Sequence, residues 1–372
     1  MKISILGIKT LPANAGADRV VENFLENSSN NNQFTIYLSR VDNNQKLKCT
    51  DSRIYIYIPT INSKYLKAFI FFLLSSLHFL IKGRCDIAHI HNSDFGLFNI
   101  LIWFKRKTKI IGTFHGNPYQ RDKWNILAKL YLKISEYFFI RFSDFLTTVA
   151  ESKIQEIPEK YRNKIIYIPN GINADNPLSN NINLNDYGLL AKEYILFACG
   201  RLDKTKGLHH LIKAFQVLNL PLKLFVIGDF SHDKNYVLEL EKLINNDDNI
   251  ICYRQLFPKE ELNFILKNCR MFVFPSEVEA MSMMLLETIA LNVPFVCSDI
   301  PENISIVGKD YKYLFENKNS VDLRNVIQLA LNDKNILKEI ENLYNKVKTR
   351  YNWKIISSDY NLLYEKIFKL NI

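Results

Sequence analysis

Short apolar runs alternate with longer stretches of helical period along almost the whole chain. In the first half the runs read KISILGI (2–8), FTIYLS (34–39), IYIYIP (54–59), DIAHIH (86–91), KIIGTFH (109–115) and DFLTTVA (144–150). In the second half they read YILFACG (194–200), LKLFVIG (222–228), NIICY (249–253), MFVFP (271–275) and PFVCS (294–298). Helical periodicity lies between them, for example at 124–142, 207–218, 234–245 and 258–268. A strand that is apolar throughout is buried on both faces, and a parallel sheet with helical crossovers supplies that cover. Two such sets predict an α/β protein of two doubly wound domains. The segment IPNGINADNPLSNNINLNDYG (168–188), rich in Asn, Pro and Gly, reads as the linker. The expected organisation is a first domain over 1–170, a second over 171–352, and a last helix over 353–372 crossing back to the first.

Open parallel sheets bind ligands outside the carboxyl ends of their strands, so the loops there are the candidates. After the first strand, LPANAGADRVVENF places Gly16 just before a helical pattern that starts near Asp18. A glycine there admits a ligand to the backbone, and a helix start attracts an anion. A simple tight turn accounts for it equally well. His115 ends the strand KIIGTFH, where an imidazole can hydrogen-bond a sugar hydroxyl or carry charge near neutral pH. A structural histidine is the plainer alternative, as a surface charge is for Arg121 in the loop beyond. In GRLDKTKGLHHLIKAF, Arg201 and Lys206 lie between a strand end and a helix starting near Gly207. A guanidinium fork and an ammonium point charge at a helix start suit a diphosphate, against the alternative of a solvated basic loop.

The segment PSEVEAMSMMLLETIALNVPFVCSD (275–299) puts two carboxylates, Glu279 and Glu287, in an oily run. Glu279 falls in the loop after MFVFP, and Ser282 is a fitting helix N-cap. The amides of Met283, Met284 and Leu285 then point outward as donors for a phosphate. Asn292 and Pro294 end the helix. Glu287 comes about one turn inside, where a buried carboxylate is costly unless hydrogen-bonded, and the two hydroxyls of a ribose satisfy it. The alternative places Glu287 on an exposed helix side.

Composition narrows this picture. The net charge is +10, and all of the excess lies in residues 1–170, with 24 Lys and Arg against 13 Asp and Glu. That favours an anionic partner for the first half: a membrane surface, a pyrophosphate or a nucleic acid. No nucleic-acid motif accompanies the charge. The run AFIFFLLSSLHFLI (68–81) has 14 residues, short of the about 20 that span a bilayer. It reads as a core helix or as an amphipathic helix facing a membrane between Lys64, Lys67, Lys82 and Arg84. MKISILGI is too short and strand-like for a signal peptide. The six scattered cysteines read as buried thiols of a reducing compartment. No D-x-D and no metal-ligand spacing occurs, so no metal and no cofactor is expected.

Together these residues resemble the family 4 retaining glycosyltransferases, which implies the GT-B architecture, two doubly wound Rossmann-like domains facing a central cleft. GADRVVENF is similar to that family's first phosphate loop, GRLDKTKG to its diphosphate clamp and EAMSMMLLE to its E-x7-E motif. FHGNPYQRDKW and YIPNGI resemble a bacterial polysaccharide-making subgroup that includes rhamnosyltransferases. The chain departs from the family pattern at Ala15, at Ala280 to Ser282, at Phe230 and at Arg254. The resemblance implies Arg201 and Lys206 on the diphosphate, Glu287 on the ribose, and Glu279 with the backbone of Ser282 to Met284 on the donor sugar and distal phosphate. It also implies His115 facing the donor sugar, Gly16 near phosphate or acceptor, and Tyr119 and Arg121 at the acceptor. The implied reaction moves a hexose or deoxyhexose from a nucleotide-sugar donor to a lipid-pyrophosphate-linked saccharide at the inner membrane face. The enzyme would be cytoplasmic and peripheral, making O-antigen or capsule. A nucleotide-sugar epimerase of the same architecture, or a nucleotide-sugar-binding protein without activity, are the rival readings.

Overall fold

A computed structural model of the protein describes residues 1–13, 16–28, 31–42, 47–63, 66–117, 119, 125–173, 177–179 and 181–369. It divides into two compact units, Met1–Asn170 with Trp353–Ile372, and Gly171–Asn352. The first unit runs β1 (Lys2–Leu6), α1 (Gly16–Asn27), β2 (Gln33–Ser39), β3 (Arg53–Ile58), α2 (Lys67–Lys82), β4 (Ile87–His91), α3 (Asn99–Trp103), β5 (Lys109–Phe114), α4 (Ile126–Phe142), β6 (Phe145–Thr148), α5 (Ser152–Glu156) and β7 (Ile165–Tyr167). The second runs β8 (Tyr194–Arg201), α6 (Leu208–Leu218), β9 (Lys223–Asp229), α7 (Lys234–Ile244), β10 (Ile250–Tyr253), α8 (Lys259–Asn268), β11 (Met271–Phe274), α9 (Met283–Ala290), β12 (Phe295–Ser298), α10 (Pro301–Val307), β13 (Leu314–Phe315), α11 (Ser320–Asn332) and α12 (Ile336–Arg350). The last helix, α13 (Trp353–Lys369), belongs to the first unit.

Both sheets are wholly parallel, ordered β3-β2-β1-β4-β5-β6-β7 and β10-β9-β8-β11-β12-β13. Each winds outward one way from its first strand and then the other way. The direction reverses between β1 and β4 in one unit and between β8 and β11 in the other, and such switch points are where doubly wound sheets hold ligands. β4 and β11 are buried at every position, β1 at all but Lys2, and β8 over its first five residues, as central strands covered on both faces require. β7 and β13 are edge strands of three and two residues, too short to show a period.

The apolar run at 68–81 is α2. Its Phe71, Phe72 and Phe79 are in the first unit's core, whereas Phe69, Leu77 and Ile81 are exposed. Among the described residues no helix is long and apolar enough to cross a membrane. α13 lies on α1, where Phe24 meets the rings of Tyr360 and Tyr364 at 5.3 and 6.1 Å. All six cysteines are free thiols. Cys49 is exposed, because it precedes β3 in a polar loop, so the expectation of buried thiols does not hold there.

Candidate active site

The second unit's switch point is built from the loops after β8 and β11. Asp203 caps the short turn Lys204–Lys206, accepting from the Thr205 amide at 3.2 Å. Gly207 follows with φ +68°, and a Cβ there would lie 1.9 Å from the carbonyl oxygen of Pro275. Only glycine permits that approach. The Glu277 amide donates to the Thr205 carbonyl at 2.7 Å, a second stitch between the loops. These contacts bring Lys206 Nζ to 2.5 Å from Glu279 Oε1, both partly buried. Arg201 is exposed at the end of β8.

α9 begins where this pair ends. Ser282 is its N-cap, accepting from the Leu285 amide at 3.3 Å. Leu285 is therefore not an outward donor: its amide is capped and its side chain is fully buried. The orphan amides of this helix start are those of Met283 and Met284, whose side chains are half-buried. Glu287 is 5% exposed, which removes the exposed-side alternative. Lys259, the first residue of α8, brings Nζ to 2.5 Å from Glu287 Oε2, which supplies the partner a buried carboxylate requires.

The first unit's switch point uses the same device. Gly7 has φ +88°, and a Cβ there would lie 1.9 Å from the carbonyl oxygen of His91. Asn92 Nδ2 donates to the Gly7 carbonyl at 3.0 Å. Behind it stand three histidines. His91 Nδ1 is 2.9 Å from His115 Nε2, and His89 reaches the Tyr364 hydroxyl and Thr113 Oγ1, each at 2.6 Å. Burial pushes His89 down to about 3 and His115 down to about 4, and His91 well below its ordinary value. His115 is thus a neutral hydrogen-bonding group, and the expectation that it carries charge near neutral pH does not hold. His89 and His91 have a visible signal, since alternate positions of DIAHIH put both imidazoles on one face of β4.

Gly16 is the exposed first residue of α1, and a Cβ there would meet nothing within 4 Å. Three described amides of the preceding loop are filled from α1 itself. The Lys9 and Thr10 amides reach the Asp18 carboxylate at 3.3 and 3.2 Å, and the Ala13 amide reaches Glu22 Oε1 at 3.1 Å. Burial raises the Asp18 pKa even so. Tyr119 is half-buried with Lys153 Nζ 5.8 Å from its ring centre, and Lys153 is held by Glu136 at 2.8 Å. Arg121, Ala15 and Lys64 lie outside the described residues. Phe230 is buried with the Arg254 guanidinium 5.4 Å from its ring centre, and Arg254 also pairs with Glu241 at 2.8 Å. Beside the clamp, His209 and His210 converge on Glu277, a grouping no local spacing announces because the partners stand 67 or more positions apart.

The family model for Glycosyl transferases group 1 matches residues 180–350, and the model for Glycosyltransferase Family 4 matches residues 15–176. The two matches fall one on each unit, and the chain belongs to the GT-B glycosyltransferases of this group 1 and family 4 type. It is 26% identical over 370 residues to the UDP-Gal:alpha-D-GlcNAc-diphosphoundecaprenol alpha-1,3-galactosyltransferase of Escherichia coli, covering 94% of each chain. It is 27% identical over 229 residues to an uncharacterized glycosyltransferase of Methanocaldococcus jannaschii, of whose length the chain spans 55%. Among solved structures, sucrose-phosphate synthase from Thermosynechococcus elongatus superposes with a TM-score of 0.79 at 18% identity, over 99% of both chains. HepE of Anabaena in complex with UDP and glucose does so with a TM-score of 0.79 at 13% identity, over 98% of this chain and 100% of that one. These structures share the fold, two Rossmann-like domains of the GT-B class.

Proposed function

We propose that this glycosyltransferase keeps the anomeric configuration and moves a hexose or deoxyhexose, rhamnose among them, from a nucleotide diphosphate sugar to a lipid-pyrophosphate-linked saccharide. The product belongs to a bacterial surface polysaccharide such as O-antigen or capsule. The observation that carries the donor half is the stitched pair of loops at the β8/β11 switch point. It sets Lys206, Glu279 and the start of α9 side by side, with Glu287 one turn further in. Lys206 leaves Glu279 for the donor's diphosphate and, with Arg201 and the Met283 and Met284 amides, stabilises the charge that grows on the leaving group. Glu279 then turns to the sugar hydroxyls. Glu287 takes the ribose in place of Lys259. Neutral His115 serves the donor sugar as a hydrogen-bonding group, Gly16 lies toward phosphate or acceptor, and Tyr119 and Arg121 serve the acceptor. The transfer itself uses no metal and no cofactor.

The acceptor half draws on two supports. The E. coli relative is, by its name, a transferase to a GlcNAc-diphosphoundecaprenol. On the first unit, α4 exposes Ile126 (85%), Leu127 (76%), Leu130, Ile134 and Tyr137 among Lys129 and Lys133. Phe69 of α2 joins this surface through a 6.1 Å ring contact with Tyr131. Apolar side chains among lysines suit the anionic inner leaflet, so we place the enzyme there as a peripheral protein. The test is incubation with UDP-, GDP- and dTDP-sugars and a GlcNAc-diphosphoundecaprenol acceptor, with NMR of the product anomer. Transfer with retained configuration is the expected result. Conversion of the donor sugar without acceptor would establish the epimerase instead, and binding without either reaction the inactive binding protein.

A further inference from the structure

Two adjacent histidines at the start of α6 have their rings 3.9 Å apart. Each has its Nδ1 held by a hydroxyl: His209 by Tyr236 of α7 at 2.9 Å and His210 by Ser320 of α11 at 3.1 Å. That anchoring turns both Nε2 atoms to one oxygen, Glu277 Oε1, at 3.6 Å from His209 and 3.1 Å from His210. The three atoms all lie within 4.8 Å of one another. Two imidazole N–H groups satisfy that oxygen, but one cation satisfies all three groups at once. Two imidazole nitrogens and a carboxylate oxygen, each imidazole steered by an outer hydroxyl, are the ligand chemistry of zinc and its first-row neighbours.

We propose that His209, His210 and Glu277 bind a borderline divalent cation, zinc or cobalt(II), which braces the two loops of the second unit's switch point. Tetrahedral bonds of about 2.0–2.1 Å keep ligand atoms roughly 3.3 Å apart. The two His–Glu separations already bracket that value, and the third lies within 4.8 Å. Burial lowers His209 to about 4, and Glu277 is held below its ordinary range because His210 and Lys318 outweigh its burial. Neutral imidazole and ionised carboxylate are the forms a metal requires. Lys318 Nζ lies 3.4 Å from the other oxygen, Oε2, and its side chain is 61% exposed, so Oε1 is left to the metal. The brace has a defined object. Glu277 is bonded through its amide to Thr205, next to Lys206, and stands two positions before Glu279.

The experiment uses the full chain with any affinity tag removed and metal stripped by chelator. Zn2+ and Co2+ alone are titrated by calorimetry, with the visible spectrum of Co2+ and the thermal transition recorded in parallel. One saturable equivalent is expected, with a tetrahedral cobalt spectrum and a raised transition temperature. Glu277→Gln, which keeps the shape, and His210→Ala should each weaken binding by about 100-fold or more, and Tyr236→Phe by about 10- to 100-fold. Lys318→Ala should bind at least as tightly as wild type. Lys206→Ala should leave the metal titration unchanged while it removes nucleotide binding, so failure of the metal site and failure of the donor reading are told apart. No saturable equivalent, or equal affinity in a folded Glu277→Gln protein, would overturn the proposal and leave the grouping as a hydrogen-bonded network.

Discussion

The two switch points share a backbone device and differ in everything placed on it. In each, a glycine of positive φ after or near the first strand's end presses against a carbonyl at the end of the fourth strand: Gly7 on His91 and Gly207 on Pro275. In the first unit three of the described loop amides are already taken by carboxylates of α1. Asp18 and Glu22 hold them, and three neutral histidines line the strand ends. In the second unit the same place holds Lys206, Glu279 and two orphan amides, all able to exchange partners. The fold thus sets where a ligand sits, and loop side chains decide which ligand it is. A charged diphosphate suits the second unit. The proposed lipid-pyrophosphate-linked acceptor goes with the basic first unit.

The sharpest way to break this comparison is to remove the charge from one side. Lys206→Ala should cut transfer by about 100- to 1,000-fold, the range for losing one donor to a developing anion, and should abolish nucleotide binding. His115→Ala should spare nucleotide binding in calorimetry and act on transfer alone. Next in size are the pressing glycines. Gly207→Ala and Gly7→Ala each set a Cβ on a carbonyl oxygen and strain a left-handed backbone, and each should cost about 3 kcal/mol. Hydrogen exchange should show the loss confined to the second unit for the former and to the first unit for the latter.

Acid should also separate the units, because three buried neutral histidines lie in the first unit and one, His209, in the second. His89, His91 and His115 are neutral in the fold but titrate near 6.5 when exposed. Below that value the unfolded chain binds more protons, so stability is full above pH 6.5 and falls as pH falls toward the folded values. Each of the three should cost the first unit about 2 kcal/mol on going from neutral pH to about pH 5, roughly 6 kcal/mol if they titrate independently, before most carboxylates titrate. Unfolding monitored against pH checks this, and His91→Gln should flatten the slope. The smallest effect belongs to Gly16→Ala. With open space at its Cβ and a place in α1, it should stabilise by under about 1 kcal/mol and leave nucleotide binding intact.

Much of the second unit's site was legible in the chain. A glutamate inside MMLLETIA announces a buried carboxylate, and Ser282 before that run announces the helix start, because both follow from local period and capping. The Lys206–Glu279 pair was not legible. Its members stand 73 positions apart, and they meet because Gly207 accepts contact with Pro275, which no local pattern encodes. The closing of the first loop by Asp18 and Glu22 was hidden likewise, since each looks like an ordinary acidic residue of a helix's early turns. GADRVVENF shows a glycine but not its conformation, and Gly16 does not use the freedom a glycine has.

The most direct measurement is a binding screen of UDP, GDP and dTDP against wild type, Lys206→Ala and His115→Ala by thermal shift and calorimetry. One base family should stabilise wild type and His115→Ala alike and leave Lys206→Ala unmoved. Binding that survives Lys206→Ala unchanged, or no binding to wild type at all, would contradict the assignment of the donor to the second unit's switch point.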